Sequence, residues 1–328
     1  MRCFWDERQR AHTPAGEFFN GAMNPPAEHS GRVDALLQAI GPTEAPADKG
    51  MEPLLRVHSA DYVDFLRTAH DEWRAAGREG DAFPYTFPIV ARRPLKLKRV
   101  DALLGQYSFD TSTPIAERTW EAAYWAAQTA LAAVDAVLRG ERTAFACCRP
   151  PGHHAGSDYL GGYCYLSNAA IAAKQAVAAG RRVAILDVDY HHGNGTQDVA
   201  SGHGDIVFAS IHADPSTDYP FFWGHADESR GNILNLPLAR GTDWNGYQPA
   251  LTQALDWIEA FEPELLIVSY GTDTYEGDPI SHLKLKTKDY SAMARRIASL
   301  GLPTAIVMEG GYAVDALGQN VAEFLSGL

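Results

Sequence analysis

The chain is poor in cysteine. It has four among 328 residues (Cys3, Cys147, Cys148 and Cys164), and no two of them are spaced as a CxxC pair. That sets aside dithiol motifs. Cys147 and Cys148 are adjacent in a strand-like run, so they face opposite sides and cannot bridge simply. Reduced core cysteines of a cytoplasmic protein are the expected reading. The opening residues, MRCFWDERQR, lack an apolar run, so no signal peptide is expected. The most apolar helical stretch, AAYWAAQTALAAVDAVL, carries Gln128 and Asp135 and reads as a core helix rather than a membrane span. Long Ser/Pro/Gly linkers, charge blocks, low-complexity tracts and internal repeats are also missing, as expected of one domain over residues 1–328. Positive charge is in deficit, with 28 Lys and Arg against 41 Asp and Glu, for a net charge of −13. Such a surface repels nucleic-acid phosphates and attracts cationic ligands.

What is present is a regular alternation. Five apolar runs read as strands: TAFACC (143–148), RVAILDVD (182–189), DIVFASIH (205–212), ELLIVSY (264–270) and PTAIVME (303–309). They do not alternate with polar residues, which suits strands covered on both faces. Helical patterns lie before, between and after them at 119–139, 167–179, 246–260, 289–300 and 313–326. The second has Ser167 or Asn168 at its start and Gly180 at its stop. The fold class expected is α/β, with a mostly parallel central sheet and helices on both faces. Earlier in the chain, helices are expected near 30–40 and 59–75. Residues 76–114, with Phe83, Pro84, Phe87, Pro88 and Pro94, read as a long excursion of the functional kind.

The polar motifs fall at one edge of this frame. RPPGHHAG, DVDYHHGNG, GTDTYEGDP and EGGY each leave the carboxyl end of an expected parallel strand, where open α/β sheets place their sites. Asp189 and His191 are two residues apart and point the same way in an extended segment, and Asp273 arrives from another strand. Two carboxylates and one imidazole, with a fourth position left for water, are the pattern of a catalytic zinc site, although carboxylates leave Fe(II) or Mn(II) open. His153 and His154 are candidates for base towards water and acid towards a leaving amine. Asp187 and Asn194 are the candidates to orient them. Tyr312, after two glycines, is a candidate oxyanion donor. His12, His29, His58, His70, His203, His225 and His282 read as structural.

With these motifs, the chain resembles the histone deacetylase superfamily, and most of all its bacterial acetylpolyamine amidohydrolase branch. The resemblance is carried by FACCRPPGHHAG, GGYCYLSNAAIAA, AILDVDYHHGNGTQD, FASIHADP, SYGTDTYEGDPI and VMEGGY, and more weakly by LLRVHSADYVDFL and TWEAA. It implies an arginase/deacetylase-like three-layer fold, and one zinc ion on Asp189, His191 and Asp273. It implies water attack on an acetyl carbonyl, with His154 as base and acid, His153 as its electrostatic neighbour and Tyr312 as oxyanion donor. It further implies a structural potassium ion on the side chains of Asp187 and Ser210 and the backbone oxygens of Asp189, His191 and Ile211. Tyr163 and Tyr219 would wall the acyl tunnel. In the loop before TWEAA, where the branch uses acids to hold distal ammonium groups, partly across a homodimer, Asp101 matches one position. Ser112 replaces another acid, and Asp110 or Glu117 stands near enough to substitute.

The expected substrate is therefore a small cationic acetylated amine, with no nucleic acid and no membrane partner. Ureohydrolases of this fold need a second metal, but Gly193 and Tyr275 stand where its carboxylates belong. A protein lysine deacetylase is the main rival reading. A silent acetyl-ligand binder is remote, because His154 and Tyr312 are both present.

Overall fold

A computed structural model describes residues 1–88 and 95–328. The amino-terminal part runs β1 (Arg2–Phe4), β2 (Glu17–Phe19), β3 (Ala22–Asn24), α1 (Gly31–Ile40), α2 (Glu52–Leu55), α3 (Ala60–Ala75), α4 (Val100–Tyr107) and α5 (Thr119–Leu138). Then come β4 (Thr143–Ala146), α6 (Asn168–Ala178), β5 (Val183–Asp187), α7 (Asn194–Ala200), β6 (Ile206–Ala213) and β7 (Ile233–Leu238). The chain closes with α8 (Trp244–Phe261), β8 (Leu265–Tyr270), α9 (Thr287–Ala298), β9 (Thr304–Met308) and α10 (Val314–Ser326).

Seven strands form one sheet in the order β1-β4-β9-β8-β5-β6-β7, and all its pairings are parallel. The continuous apolar runs have the cause expected of them. Along β5, Ala184 and Leu186 join a core with Leu36, Leu251, Met293 and Val321 from α1, α8, α9 and α10. Val183 and Ile185 face a second core with alanines of α5 and α6, including Ala126, Ala130, Ala169 and Ala172. Side chains two apart share a face, so both faces must be apolar when both are covered. Cys147 and Cys148 fall on opposite sides of this division, and all four cysteines are buried and free.

Two edge strands were not legible as buried runs. β1 is only three residues long, and β7 alternates buried and half-buried positions and contains Pro237. An edge strand is short or one-sided, and it tolerates proline. The 76–114 excursion contains α4 and bridges back through Ala82 to Ile115. Its residues 89–94, Pro94 among them, lie outside the described residues. Among the described residues, no helix is long and apolar enough to cross a membrane.

Strand order fixes where a site can form. From β5 the chain moves outward through β6 to β7, whereas from β8 it moves the other way to β9. β5 and β8 are neighbours, with Asp187 opposite Ser269. The loops that leave them diverge, opening a crevice at their carboxyl ends, the switch point of an open α/β sheet.

Candidate active site

Asp189 and His191 leave β5, and Asp273 leaves β8 across that switch point. All three are buried, and one ligand atom from each lies within 4.8 Å of the others. His191 Nδ1 is 3.0 Å from Asp273 Oδ2 and 3.4 Å from Asp189 Oδ1. Backbone amides pin the carboxylates: Gly310 N–H donates to Asp189 Oδ2 at 2.8 Å, and Tyr190 N–H donates to Asp273 Oδ1 at 2.8 Å. Two buried carboxylates facing one imidazole are costly unless a cation joins them. This oxygen and nitrogen donor set fits a divalent ion. A Cβ on Gly310 would lie 2.6 Å from Asp273 and 2.7 Å from Asp189, which is why glycine follows β9 here. His153, Cys164 and Glu309 also gather at ligand spacing. However, Glu309 Oε2 accepts the Gly152 and His153 amides at 2.7 and 3.2 Å, and Oε1 accepts the Ser269 hydroxyl at 3.2 Å. That group ties the loop after β4 to β8 and β9.

The two histidines meet different partners. His153 Nδ1 lies 3.0 Å from Asp187 Oδ2, and His154 Nδ1 lies 2.7 Å from Asn194 Oδ1. Burial lowers the basicity of both. At His153 the carboxylates of Asp189 and Asp187 more than offset burial, and the net shift is upward. At His154 the neighbouring His153 and His191 add to burial, and the net shift is far downward. The two imidazoles are thus pushed in opposite directions, with the rings 4.1 Å apart. Both orienting partners are those expected from the sequence.

Tyr312 is held through its backbone. Asp278 Oδ2 accepts its amide at 2.7 Å, and Arg32 donates to the carbonyls of Gly311 and Glu309 at 2.7 and 2.6 Å. Arg32 and Arg149 share Glu28 Oε1, at 2.8 and 2.9 Å, so a buried charge triad anchors residues 28–32 against the two site loops. Asp278, Arg32, Glu28 and Glu309 were not singled out from sequence. Glu309 and Asp278 lie inside motifs that were, but Glu28 and Arg32 lie in a stretch with no motif around them.

A cavity of about 350 Å³ opens above this floor. His154, His191 and Tyr312 lie at its base, and Tyr163 and Tyr219 are in its walls. The Tyr163 and Tyr312 rings meet edge to face at 5.7 Å, and Tyr219 stands edge to face on His154 at 5.2 Å. Gly162 lets the wall come this close. Its φ is +54°, and a Cβ there would sit 2.1 Å from the His154 ring. Asp110 is in the wall too. Its Oδ2 accepts the Gly162 amide at 2.7 Å and the Tyr219 hydroxyl at 2.8 Å.

Asp101 requires a correction, because the structure does not bring it to this cavity. Its carboxylate is buried and ion-paired with Arg78 and with Arg99, the latter at 2.7 Å. Within this chain two guanidinium groups already occupy that carboxylate. Glu117 lines a separate surface hollow beside Arg118. The second acid of the cavity is Glu17, from the β2–β3 hairpin, which no sequence motif marked. Asp187 and Ser210 are direct partners across β5 and β6. The Ser210 hydroxyl lies 2.8 Å from His212 Nδ1 and 3.2 Å from His192 Nδ1, so His192 turns away from the cluster formed by its neighbour His191.

The chain is similar to known proteins. The histone deacetylase domain model matches residues 27–328. Acetylpolyamine amidohydrolase 1 of Pseudomonas aeruginosa is 47% identical over all of this chain and 98% of its own length. The acetylpolyamine amidohydrolase of Mycoplana ramosa is 42% identical over all of this chain and 99% of its own. The crystal structure of an acetylpolyamine aminohydrolase from Burkholderia pseudomallei superposes with a TM-score of 0.94 at 39% identity, covering all of this chain and 98% of that one. The chain belongs to the histone deacetylase family. That fold implies a metal cofactor, and Asp189, His191 and Asp273 form a group able to hold one.

Proposed function

We propose that the protein is a zinc-dependent amidohydrolase that removes acetyl groups from acetylated polyamines and other small acetylated amines. The observation that carries the reading is the pairing of two differently tuned histidines beside the Asp189, His191 and Asp273 group, at the base of a narrow cavity whose walls hold aromatic rings and two acids. Zinc on those three residues supplies Lewis acidity towards the acetyl carbonyl and the attacking water. His154, with Nδ1 tied to Asn194, presents Nε2 to take a proton from the water and return it to the leaving amine nitrogen. His153, charged beside Asp187, favours negative charge developing nearby. The Tyr312 hydroxyl donates to the carbonyl oxygen as that charge forms. Tyr163 and Tyr219 offer ring faces to a methylene chain.

In this reading the whole chain is one catalytic domain. The carboxyl end of the 76–114 excursion, with Asp110, Thr111 and Ser112 just beyond α4, shapes the entrance. Potassium takes Asp187, Ser210 and the carbonyls of Asp189, His191 and Ile211. The enzyme works in the cytoplasm as a homodimer. Exposed Phe18, Phe19, Phe221 and Phe222 on the hairpin and loop that border the entrance support self-association.

The test is a panel of acetylated diamines, acetylated polyamines and acetyl-lysine peptides offered to zinc-loaded enzyme. Acetylputrescine should exceed N-acetylbutylamine, which has the same chain without the amine, by at least about tenfold in kcat/KM. Equal rates would replace the polyamine reading with a general small-amide deacetylase. Faster turnover of the peptides would replace it with a lysine deacetylase.

A further inference from the structure

Tyr219 is the wall ring that stands on both imidazoles of the cavity base, edge to face at 5.2 Å from His154 and 6.0 Å from His191. Its hydroxyl donates to Asp110 Oδ2 at 2.8 Å, which holds the tip of the ring. The backbone that carries it belongs to the connection between β6 and β7. Just beyond, Phe221 and Phe222 are 50% and 80% exposed, so this turn has little apolar packing of its own. A segment with few buried apolar contacts moves unless polar bonds hold it.

Asp218, the residue before Tyr219, supplies those bonds. It is 5% exposed, and each of its carboxylate oxygens accepts twice. Oδ1 accepts the Tyr190 hydroxyl at 2.6 Å and Arg240 Nη2 at 3.1 Å. Oδ2 accepts Arg240 Nε at 2.8 Å and the Thr217 hydroxyl at 2.7 Å. The forked guanidinium bonds are charge-assisted and fix the plane of the carboxylate. Tyr190 carries the link inward. It lies between Asp189 and His191 in the chain and is fully buried. Its ring packs edge to face on His191 at 4.9 Å, and its amide donates to Asp273 Oδ1 at 2.8 Å. One continuous set of contacts therefore runs from the group able to hold a metal, through a rigid phenol and a carboxylate, to the backbone of the cavity wall.

We infer that Asp218 is a positioning residue which, with Tyr190, fixes the width of the slot walled by Tyr219 and Tyr163 and so selects slim, unbranched amine chains. The inference rests on the reading of the protein as a deacetylase of small acetylated amines, in which the methylene chain passes those two rings. A ring held at its tip by Asp110 and at its backbone by Asp218 cannot swing aside for a wider chain. Tyr163 is held at its backbone as well, since its amide donates to the Thr113 hydroxyl at 2.9 Å. One added carbon in an apolar pocket that cannot yield is worth about 10- to 200-fold in discrimination. Release of the backbone by loss of the Asp218 bonds lets the ring give way, and the discrimination shrinks.

The experiment compares kcat/KM for acetylputrescine and for its analogue with one methyl branch on the second carbon from the amide nitrogen, in wild type, Asp218→Ala and Tyr190→Phe, at equal metal content. Both substrates carry the same acetyl group and the same distal ammonium, so recognition of either cancels in the ratio. Wild type should prefer the unbranched chain by at least about tenfold. Asp218→Ala should lower that ratio at least about fivefold, mainly through a smaller KM for the branched analogue. Tyr190→Phe keeps the ring and removes only its bond to Asp218, and it should lower the ratio at least about threefold. An Asp218→Ala enzyme that slows both substrates equally overturns the inference, because a role confined to stability predicts that result. The full wild-type ratio in Tyr190→Phe overturns it too, and this variant decides alone if Asp218→Ala does not fold. Equal rates for the two substrates in wild type overturn it while leaving deacetylation in place. No turnover of acetylputrescine by metal-loaded wild type overturns the functional reading itself, a different outcome from a ratio that survives the variants.

Discussion

His154 Nδ1 and Asn194 Oδ1 lie 2.7 Å apart in the buried base of the cavity. An amide oxygen only accepts, so Nδ1 carries the hydrogen and Nε2 is left as the basic nitrogen. Because the partner is neutral, it orients the ring without raising its basicity as a carboxylate does. Asn194→Ala should lower kcat by about 10- to 100-fold, with metal content unchanged. Asn194→Asp should keep the orientation and favour the imidazolium, so the acidic limb of the kcat/KM profile should move to higher pH. A profile of Asn194→Asp that overlays wild type would remove Asn194 from control of the base.

Tyr312 carries a hydroxyl above a backbone gripped by Asp278 and Arg32. Tyr312→Phe leaves that grip intact and deletes the hydroxyl proposed as donor to the oxyanion. We expect kcat to drop by about 10²–10³, the usual loss for one such donor, with unchanged metal stoichiometry and thermal midpoint. A kcat near wild type would show that the oxyanion is stabilised elsewhere.

Asp273 faces His191 Nδ1 at 3.0 Å and lies in the same buried group as Asp189. Asp273→Asn exchanges an anionic ligand for a neutral amide, a poor ligand for a hard or borderline dication. The variant should lose most of its metal in elemental analysis, and activity should fall in proportion. Full occupancy with normal turnover would sink the ligand assignment.

His12 and His58 are buried, and burial pushes each from an ordinary value of 6.5 down to about 4. The folded protein keeps both neutral while the unfolded chain protonates them below about pH 6.5. Between pH 6.5 and 4 the unfolded state therefore binds more protons, and stability must fall as pH falls through that window. Each group contributes a slope of up to about 1.4 kcal/mol per pH unit there. The thermal midpoint should drop from pH 7 to pH 5, and the drop should be shallower in His12→Gln, His58→Gln than in wild type. A midpoint constant over that range would contradict the buried neutral histidines.

Much of this protein is determined locally. Strand and helix periodicity is written in the chain because both faces of β5, β6, β8 and β9 are covered, which demands unbroken apolar runs ended by polar loops. The candidate site residues sit within those loops, at short spacing, because a strand end is a rigid place to hold a carboxylate and an imidazole. Asp189 with His191, and His153 with His154, are legible for that reason. Their partners Asp187 and Asn194 were within reach as well, because both lie in the same motif as Asp189 and His191, although the histidines they meet are 34 and 40 positions away.

Only the tertiary structure decided the rest, and the reason is sequence separation. Arg32 reaches Gly311 across 279 positions, and Arg149 meets Glu28 across 121, with no local pattern around Arg32 or Glu28. The same holds for the acids of the cavity. Asp101 matches a motif but is neutralised by Arg78 and Arg99, whereas Glu17 matches none but is carried to the cavity wall by the hairpin's bonds to Thr111. A carboxylate's chemistry is set by the charges and donors around it, and those are assembled by the fold, not by its neighbours in the chain.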